Sequence, residues 1–104
     1  MPLVAVAPLA DVPENGNRAF AVRDRSILLC RTALGIFAVE NMCSHAQSEL
    51  EGGKVRGAHI FCPLHGVRFD LRNGAPTGKL TKKPICAFET SVIDGIVHVD
   101  LLAP

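Results

Sequence analysis

Short runs of apolar and β-branched residues, separated by polar turn residues, recur along the chain. No segment shows the periodicity of a long amphipathic helix. The dipeptides Asn15-Gly16 and Asn73-Gly74 are typical of turns, and Asp94-Gly95 predicts a two-residue hairpin. The pattern favours an all-β fold of mostly antiparallel strands. The predicted strands are roughly Leu3–Ala7, Arg18–Arg23, Ser26–Arg31, Ile36–Glu40, His59–Phe61, Arg68–Leu71, Cys86–Ile93 and Ile96–Leu101.

Length and charge restrict the class of protein. The chain has 104 residues, which predicts a single domain over residues 1–104. Eleven basic and ten acidic residues leave it nearly neutral, so we expect no nucleic-acid partner and no anionic membrane surface as a partner. The first apolar run lacks a preceding basic residue, and Pro8 interrupts it. We therefore expect a soluble, cytoplasmic monomer.

Two loops combine cysteine with histidine. Cys43 and His45 follow the predicted strand that ends at Glu40, and Cys62 and His65 follow the strand that ends at Phe61. If the two strands share a sheet, their exit loops come together at one end, where four ligands could bind a metal. The other cysteines and histidines lie in strand-like runs. We interpret Cys30 and Cys86 as reduced core residues, and His59 and His98 as ordinary strand residues.

Zinc and a two-iron cluster both suit these ligands. A structural zinc site usually separates paired ligands by two to five residues, which fits Cys62 and His65 but not Cys43 and His45. A [2Fe–2S] centre with two cysteines and two histidines places both histidines on one iron. Each loop would then supply one ligand to each iron, which explains why cysteine precedes histidine in both loops.

The motif Cys43-x-His45, sixteen residues, then Cys62-x-x-His65-Gly66 resembles the Rieske iron–sulfur family. The stretches "RFDLRNG" and "DGIVHVDL" are also similar to that family, so the resemblance covers most of the chain. It implies a Rieske-type antiparallel β-sandwich with two cluster-binding loops at one end. It also implies one [2Fe–2S] cluster, with Cys43 and Cys62 on one iron and His45 and His65 on the other.

Neighbours of the ligands indicate a low reduction potential. High-potential members of the family carry an extra cysteine in each loop, and these two cysteines form a disulfide; Ser48 and Leu64 occupy the matching positions here. Those members also carry a serine and a tyrosine whose hydroxyls bind the cluster sulfurs, where this chain has Val67 and Phe69. We predict a potential near the low end of the class range, roughly −150 to +300 mV.

A small Rieske protein of this kind resembles the ferredoxin component of bacterial aromatic-ring-hydroxylating dioxygenase systems. The resemblance implies a carrier, not an enzyme, that takes electrons from an NADH-dependent flavin reductase and passes them to a terminal oxygenase in aromatic hydrocarbon catabolism. Its partners would bind transiently at the edge of the cluster that carries the histidines, and Pro76 would cover the other side of the cluster. Charged residues could steer these partners or form only a solvated rim: Glu49, Glu51, Arg68 and Arg72.

Two other functions remain possible. The chain could be a small Rieske subunit of another oxidoreductase, such as nitrite reductase. It could also be a structural zinc-binding interaction module without redox function. Colour distinguishes the second alternative, since a cluster gives a red-brown protein and zinc a colourless one.

Overall fold

Short strands joined by tight turns make up nearly all of the described structure. The computed structural model describes residues 3–43, 49–63, 67–77 and 83–101. A turn of 3-10 helix spans Leu9–Asp11. The strands are β1 (Leu3–Pro8), β2 (Gly16–Val22), β3 (Arg25–Thr32), β4 (Gly35–Glu40), β5 (Val55–Arg56), β6 (His59–Phe61), β7 (Arg68–Asp70), β8 (Pro76–Thr77), β9 (Ala87–Phe88), β10 (Thr90–Ile93) and β11 (Ile96–Asp100).

These strands form three antiparallel sheets. The terminal sheet has the order β1-β11-β10, the central sheet β2-β3-β4-β9, and the small sheet β5-β6-β7-β8. Each strand pair within them runs antiparallel. The prediction of an all-β, mostly antiparallel fold is confirmed.

The central sheet is buried on both faces, because apolar residues pack against each side of it. Along β3, Ile27 and Leu29 point to one side, while Leu28 and Cys30 point to the other. This double burial explains why "ILLC" is a continuous apolar run rather than an alternating one.

Two apolar cores result, one on each side of the central sheet. The terminal core consists of Val12, Val22, Ile27, Leu29, Ala38, Phe88, Val97 and Val99. The cysteine core consists of Leu28, Cys30, Val39, Cys43, Leu50, Ile60, Cys62, Val67, Phe69, Leu71 and Ile85. The second core includes both cysteines of the predicted metal site.

One predicted strand is two strands in different sheets. The sequence pattern predicts a continuous strand over Cys86–Ile93, but Ala87–Phe88 pairs with β4 and Thr90–Ile93 pairs with β11. The chain changes sheet at Glu89, whose carbonyl accepts a hydrogen bond from the backbone amide of Asp100 (2.9 Å). An apolar pattern with a period of two continues through such a crossing, so the pattern alone does not reveal it.

The predicted hairpin at Asp94-Gly95 is confirmed. Ile93 pairs with Ile96, and the two turn residues have φ values of 52° and 78°, as a type I′ turn requires. The prediction missed the two-residue strands β5 and β8, which are too short to show an alternating pattern. No helix in the described ranges has the length and apolar character needed to cross a membrane.

Candidate metal centre

The structure brings Cys43 and Cys62 into one buried core. Neither side chain is more than 2 % exposed, and both belong to the cysteine core. All four cysteines of the sequence lie within the described residues, and none of them is joined in a disulfide. His45 and His65, the other two predicted ligands, lie outside the described residues.

The two loops converge for a different reason from the one expected. The expected convergence assumed that the strands before Cys43 and Cys62 share a sheet, but β4 is in the central sheet and β6 is in the small sheet. The cysteines meet because the two sheets pack face to face, with Val39 of β4 and Ile60 of β6 in the core between them. Packing between layers, not register within one sheet, therefore assembles the site.

A backbone hydrogen bond closes the second loop, which spans residues 62–67. Cys62 follows β6 directly, and its amide donates to the carbonyl of Val67 (2.7 Å). This bond extends the β6–β7 ladder, in which Phe61 pairs with Arg68. The second loop is thus the tip of a hairpin, and the strand pairing fixes both of its ends.

A side chain closes the first loop, which spans residues 43–50. Asn41 Oδ1 accepts hydrogen bonds from the backbone amides of Leu50 (3.0 Å) and Glu51 (2.9 Å). Asn41 is itself held to β3, because its Nδ2 donates to Ser26 Oγ (3.0 Å). Sequence reasoning missed this role, since a single asparagine before a ligand has no distinctive spacing.

Gly53 connects the end of the first loop to the strand that leads into the second. A Cβ atom at Gly53 would lie 2.1 Å from the carbonyl oxygen of Phe61, too close for any side chain. The Gly53 amide donates to the carbonyl of Leu50 (2.9 Å), which forms a tight turn beside β6. Only glycine allows the two backbones to approach this closely.

Cys30 shares the cysteine core but differs from the loop cysteines in position. It lies within β3, and burial raises the pKa of its thiol to about 12, so it stays protonated at neutral pH. Cys86 is partly buried against the terminal core. Cys30 is in the core, as interpreted, and Cys86 packs at the edge of the other core.

The two histidines interpreted as strand residues lie in strands. His59 is in β6, paired with Asp70, and His98 is in β11, with Nδ1 3.0 Å from the carbonyl oxygen of Ile96. Both are partly buried.

Apolar side chains line the core around Cys43 and Cys62. Val67 is 3 % exposed and Phe69 is fully buried, so the two positions without hydroxyl groups lie beside the cysteines rather than on the surface. Pro76 pairs with Phe69 in the small sheet, next to the second loop. Ser48 and Leu64 lie outside the described residues.

Of the four charged residues expected at the rim, three make contacts within the chain. Glu51 Oε2 accepts a hydrogen bond from the amide of Ala19 (2.7 Å). Arg68 Nε donates to Thr77 Oγ1 (2.6 Å), and Arg72 pairs with Asp70. These contacts fix the side chains in place, and a role in steering partners stays a prediction.

The Asp70–Arg72 pair stabilises the turn that follows β7. Arg72 donates from Nε to Oδ1 (3.0 Å) and from Nη2 to Oδ2 (2.8 Å), a bidentate geometry. The hydrogen bonds from Arg72 lower the pKa of Asp70 below its ordinary value, despite the opposing effect of burial. Gly74 lies in the same turn. A Cβ atom at this position would be 1.9 Å from the carbonyl oxygen of Ile85, so the turn requires glycine here.

The donor atoms in this core fit an iron–sulfur cluster. Cys43 and Cys62 supply two sulfur donors, one from each loop. The apolar residues around them keep water away from these donors. Within the described ranges no three His, Cys, Asp or Glu side chains are grouped so that they could hold a metal ion. Two of the four predicted ligands lie outside those ranges.

Comparison with known proteins gives a consistent result. A sequence model of the Rieske [2Fe-2S] domain matches residues 3–89. The ferredoxin subunit of anthranilate 1,2-dioxygenase from Burkholderia cepacia is 31 % identical over 88 residues, which cover 85 % of this chain and 82 % of that protein.

Solved structures are similar over nearly the whole chain. The ferredoxin of carbazole 1,9a-dioxygenase from Nocardioides aromaticivorans IC177 superposes with a TM-score of 0.87 and 33 % identity, covering 95 % of this chain and 97 % of that one. The match to a chain in the complex of reduced oxygenase and oxidised ferredoxin in carbazole 1,9a-dioxygenase has a TM-score of 0.84 and 27 % identity. It covers 95 % of this chain and 93 % of that one.

Proposed function

Because this chain belongs to the Rieske [2Fe-2S] family, we propose that it is a one-electron carrier for the terminal oxygenase of a ring-hydroxylating dioxygenase system. The observation that carries this proposal is the convergence of Cys43 and Cys62, from two loops, in one buried core. Similarity over 95 % of the chain to a dioxygenase ferredoxin supports the same function. The carrier holds one Rieske-type [2Fe–2S] cluster, which supplies one-electron transfer when bound.

The proposed ligands are Cys43, His45, Cys62 and His65. The two cysteines would bind one iron as thiolates, and the two histidines would bind the other through neutral imidazoles. The burial of Cys43 and Cys62 supports their assignment as ligands. Cys30 is left out of the proposed ligand set because it lies within β3 and not in either loop.

The proposed potential is near the low end of the Rieske class. Val67 and Phe69 lie in the cysteine core and have no hydroxyl group to donate to a cluster sulfur. With fewer donors the extra negative charge of the reduced state is less stabilised, which lowers the potential. A strongly positive midpoint in a redox titration would contradict this proposal.

The proposed electron donor is an NADH-dependent flavin reductase, and the proposed acceptor is a terminal oxygenase. A related ferredoxin fold occurs in a complex with its oxygenase, which supports the acceptor. We further propose that the carrier is a cytoplasmic monomer of one domain that forms short-lived complexes.

The test begins with the purified chain loaded with iron and sulfide. A red-brown protein is expected, with an EPR spectrum of mixed histidine and cysteine ligation after reduction. Adding a dioxygenase reductase, NADH and a terminal oxygenase should then couple NADH oxidation to substrate hydroxylation. A colourless protein that binds one zinc ion would overturn the proposal in favour of a structural module. Permanent association with a large flavin subunit would favour a role as an oxidoreductase subunit.

A further inference from the structure

Two asparagine side chains hold the chain immediately after the first loop. Asn41 Oδ1 accepts hydrogen bonds from the amides of Leu50 (3.0 Å) and Glu51 (2.9 Å). Asn17 Oδ1 accepts from the next amide, that of Gly52 (2.8 Å). Three consecutive backbone amides therefore donate to side-chain oxygens rather than to a strand ladder. The conformation of this segment depends on the side chains of Asn17, in β2, and Asn41, which directly follows β4.

Asn41 is the more constrained of the two. It is 4 % exposed, and its Nδ2 donates to Ser26 Oγ (3.0 Å) while its own backbone amide donates to the Ser26 carbonyl (3.0 Å). Both ends of the side-chain amide are thus used, and rotation of the side chain would break these hydrogen bonds. Asn41 also lies two residues before Cys43, so its hydrogen bonds to Leu50 and Glu51 link the chain before the first loop to the chain at its end.

We propose that Asn41 is a positioning residue for the iron–sulfur site. It fixes the distance between the two ends of the first loop, and it thereby keeps Cys43 in the cysteine core and water out of it. The inference rests on the proposed function, because it assumes that Cys43 is a ligand. Without Asn41 the buried amide of Leu50 has to recruit water in place of its acceptor, which opens the loop next to the site.

The test uses the loaded protein with Asn41→Ala. Hydrogen–deuterium exchange at the amides of residues 50 and 51 should become about tenfold faster, since each loses its acceptor. Release of iron, followed by the visible absorbance, should accelerate by about the same factor. The midpoint potential should rise, because water near a reduced cluster stabilises its additional negative charge.

Thr32→Ala is the control. Thr32 Oγ1 accepts one hydrogen bond, from the amide of Leu34 (2.9 Å), at the exposed turn between β3 and β4. This turn is at the opposite end of β3 from Ser26, the partner of Asn41. This control should accelerate exchange at residue 34 alone and leave iron release and the midpoint potential unchanged.

Asn41→Asp is the conservative variant. Its carboxylate can accept from both amides, and the Ser26 hydroxyl can donate to it. Exchange at residues 50 and 51 and the rate of iron release should stay close to wild type, while the added negative charge lowers the midpoint potential. If Asn41→Ala does not fold, Ser26→Ala replaces it, with smaller changes in exchange and iron release in the same directions.

Two results would overturn the inference. One is unchanged exchange at residues 50 and 51 in Asn41→Ala, and the other is faster exchange with unaltered iron release and midpoint potential. Rapid iron loss in Asn41→Asp despite protected amides would also count against it. All of these readouts compare loaded variants with the loaded wild type. Failure of the proposed function would instead appear in the wild type itself, as a chain that binds no cluster or does not reduce an oxygenase.

Discussion

The two loops that carry the cysteines are closed by different kinds of interaction. The second is the tip of the β6–β7 hairpin, and the backbone bond from Cys62 to Val67 (2.7 Å) closes it whatever the side chains are. The first joins two different sheets, and among the described residues no strand ladder connects its ends. The side chain of Asn41 takes the place of that ladder. The second loop should therefore tolerate substitution near its ends better than the first.

The largest expected effect is loss of the cluster, and it should be the same for both loops. Cys43→Ser and Cys62→Ser should each abolish the visible absorbance and the EPR signal of the loaded protein, because both loops must supply a thiolate. Cys30→Ala is the control, since Cys30 is equally buried in the same core.

The control should keep the cluster and lose about 1 kcal/mol of unfolding free energy from the small cavity that it creates. Absorbance spectra and denaturant titrations measure both effects. Loss of the cluster in Cys30→Ala would show that the ligand assignment is wrong.

The close approach between β6 and the chain that follows the first loop can be broken at Gly53. Gly53→Ala places a Cβ atom 2.1 Å from the carbonyl oxygen of Phe61, so the chain after the first loop must move away from β6. We expect a loss of about 3 kcal/mol in unfolding free energy, the upper end of the cost of overpacking.

Gly57→Ala separates this clash from conformational strain. Gly57 has a φ of 59°, and no atom lies within 4 Å of the place that a Cβ atom would take, so only backbone strain of about 1 kcal/mol is expected. Urea denaturation of both variants gives the comparison. Equal losses in the two variants would mean that the close approach at Gly53 is unimportant.

A hydroxyl group in the second loop tests how that loop influences the potential. Val67→Ser introduces a donor at a position that is 3 % exposed in the cysteine core. A hydrogen bond that favours the reduced state by about 1.4 kcal/mol raises a one-electron potential by about 60 mV.

The same substitution on the surface provides the control. Val92→Ser on β10, where the side chain is 44 % exposed, should leave the midpoint unchanged. Redox titration of both variants measures the difference, and equal midpoints would remove the support that Val67 gives to a low potential.

The smallest expected effect concerns the turn that follows β7. Arg72 lowers the pKa of Asp70 below its ordinary value of 3.8, so the pair stabilises the fold above that pH. This stabilisation is lost as the pH falls through the lower, folded-state pKa. Arg72→Gln should therefore reduce stability at neutral pH and weaken its decline in acid.

Arg68→Gln serves as the control for this acid effect. Arg68 Nε donates to the Thr77 hydroxyl rather than to a carboxylate, so its replacement should leave the acid dependence unchanged. Thermal unfolding between pH 2 and pH 7 measures both variants. An unchanged acid profile in Arg72→Gln would contradict the assigned role of the pair.

Much of the fold could be predicted because strands with a period of two show directly in the sequence. The predicted strand His59–Phe61 has the bounds that the structure has, and the other predicted strands, apart from the divided Cys86–Ile93, differ by one or two residues at their ends. The turn at Arg23-Asp24 escaped prediction, although both residues have positive φ values of 50° and 66°. Positive φ is usually marked by glycine or asparagine, and this turn contains neither.

The sequence by itself determined which residue types can form the cluster site, because the spacing of cysteine and histidine in two loops is local information. It also determined the apolar character of Val67 and Phe69 beside those ligands. Only the tertiary structure decided how the loops meet, since the sheets that carry Cys43 and Cys62 pack face to face. The closure of the first loop by Asn41 also depends on contacts between residues far apart in the chain. Such contacts leave no pattern in the sequence, because they require only that the right atoms be close in the folded protein.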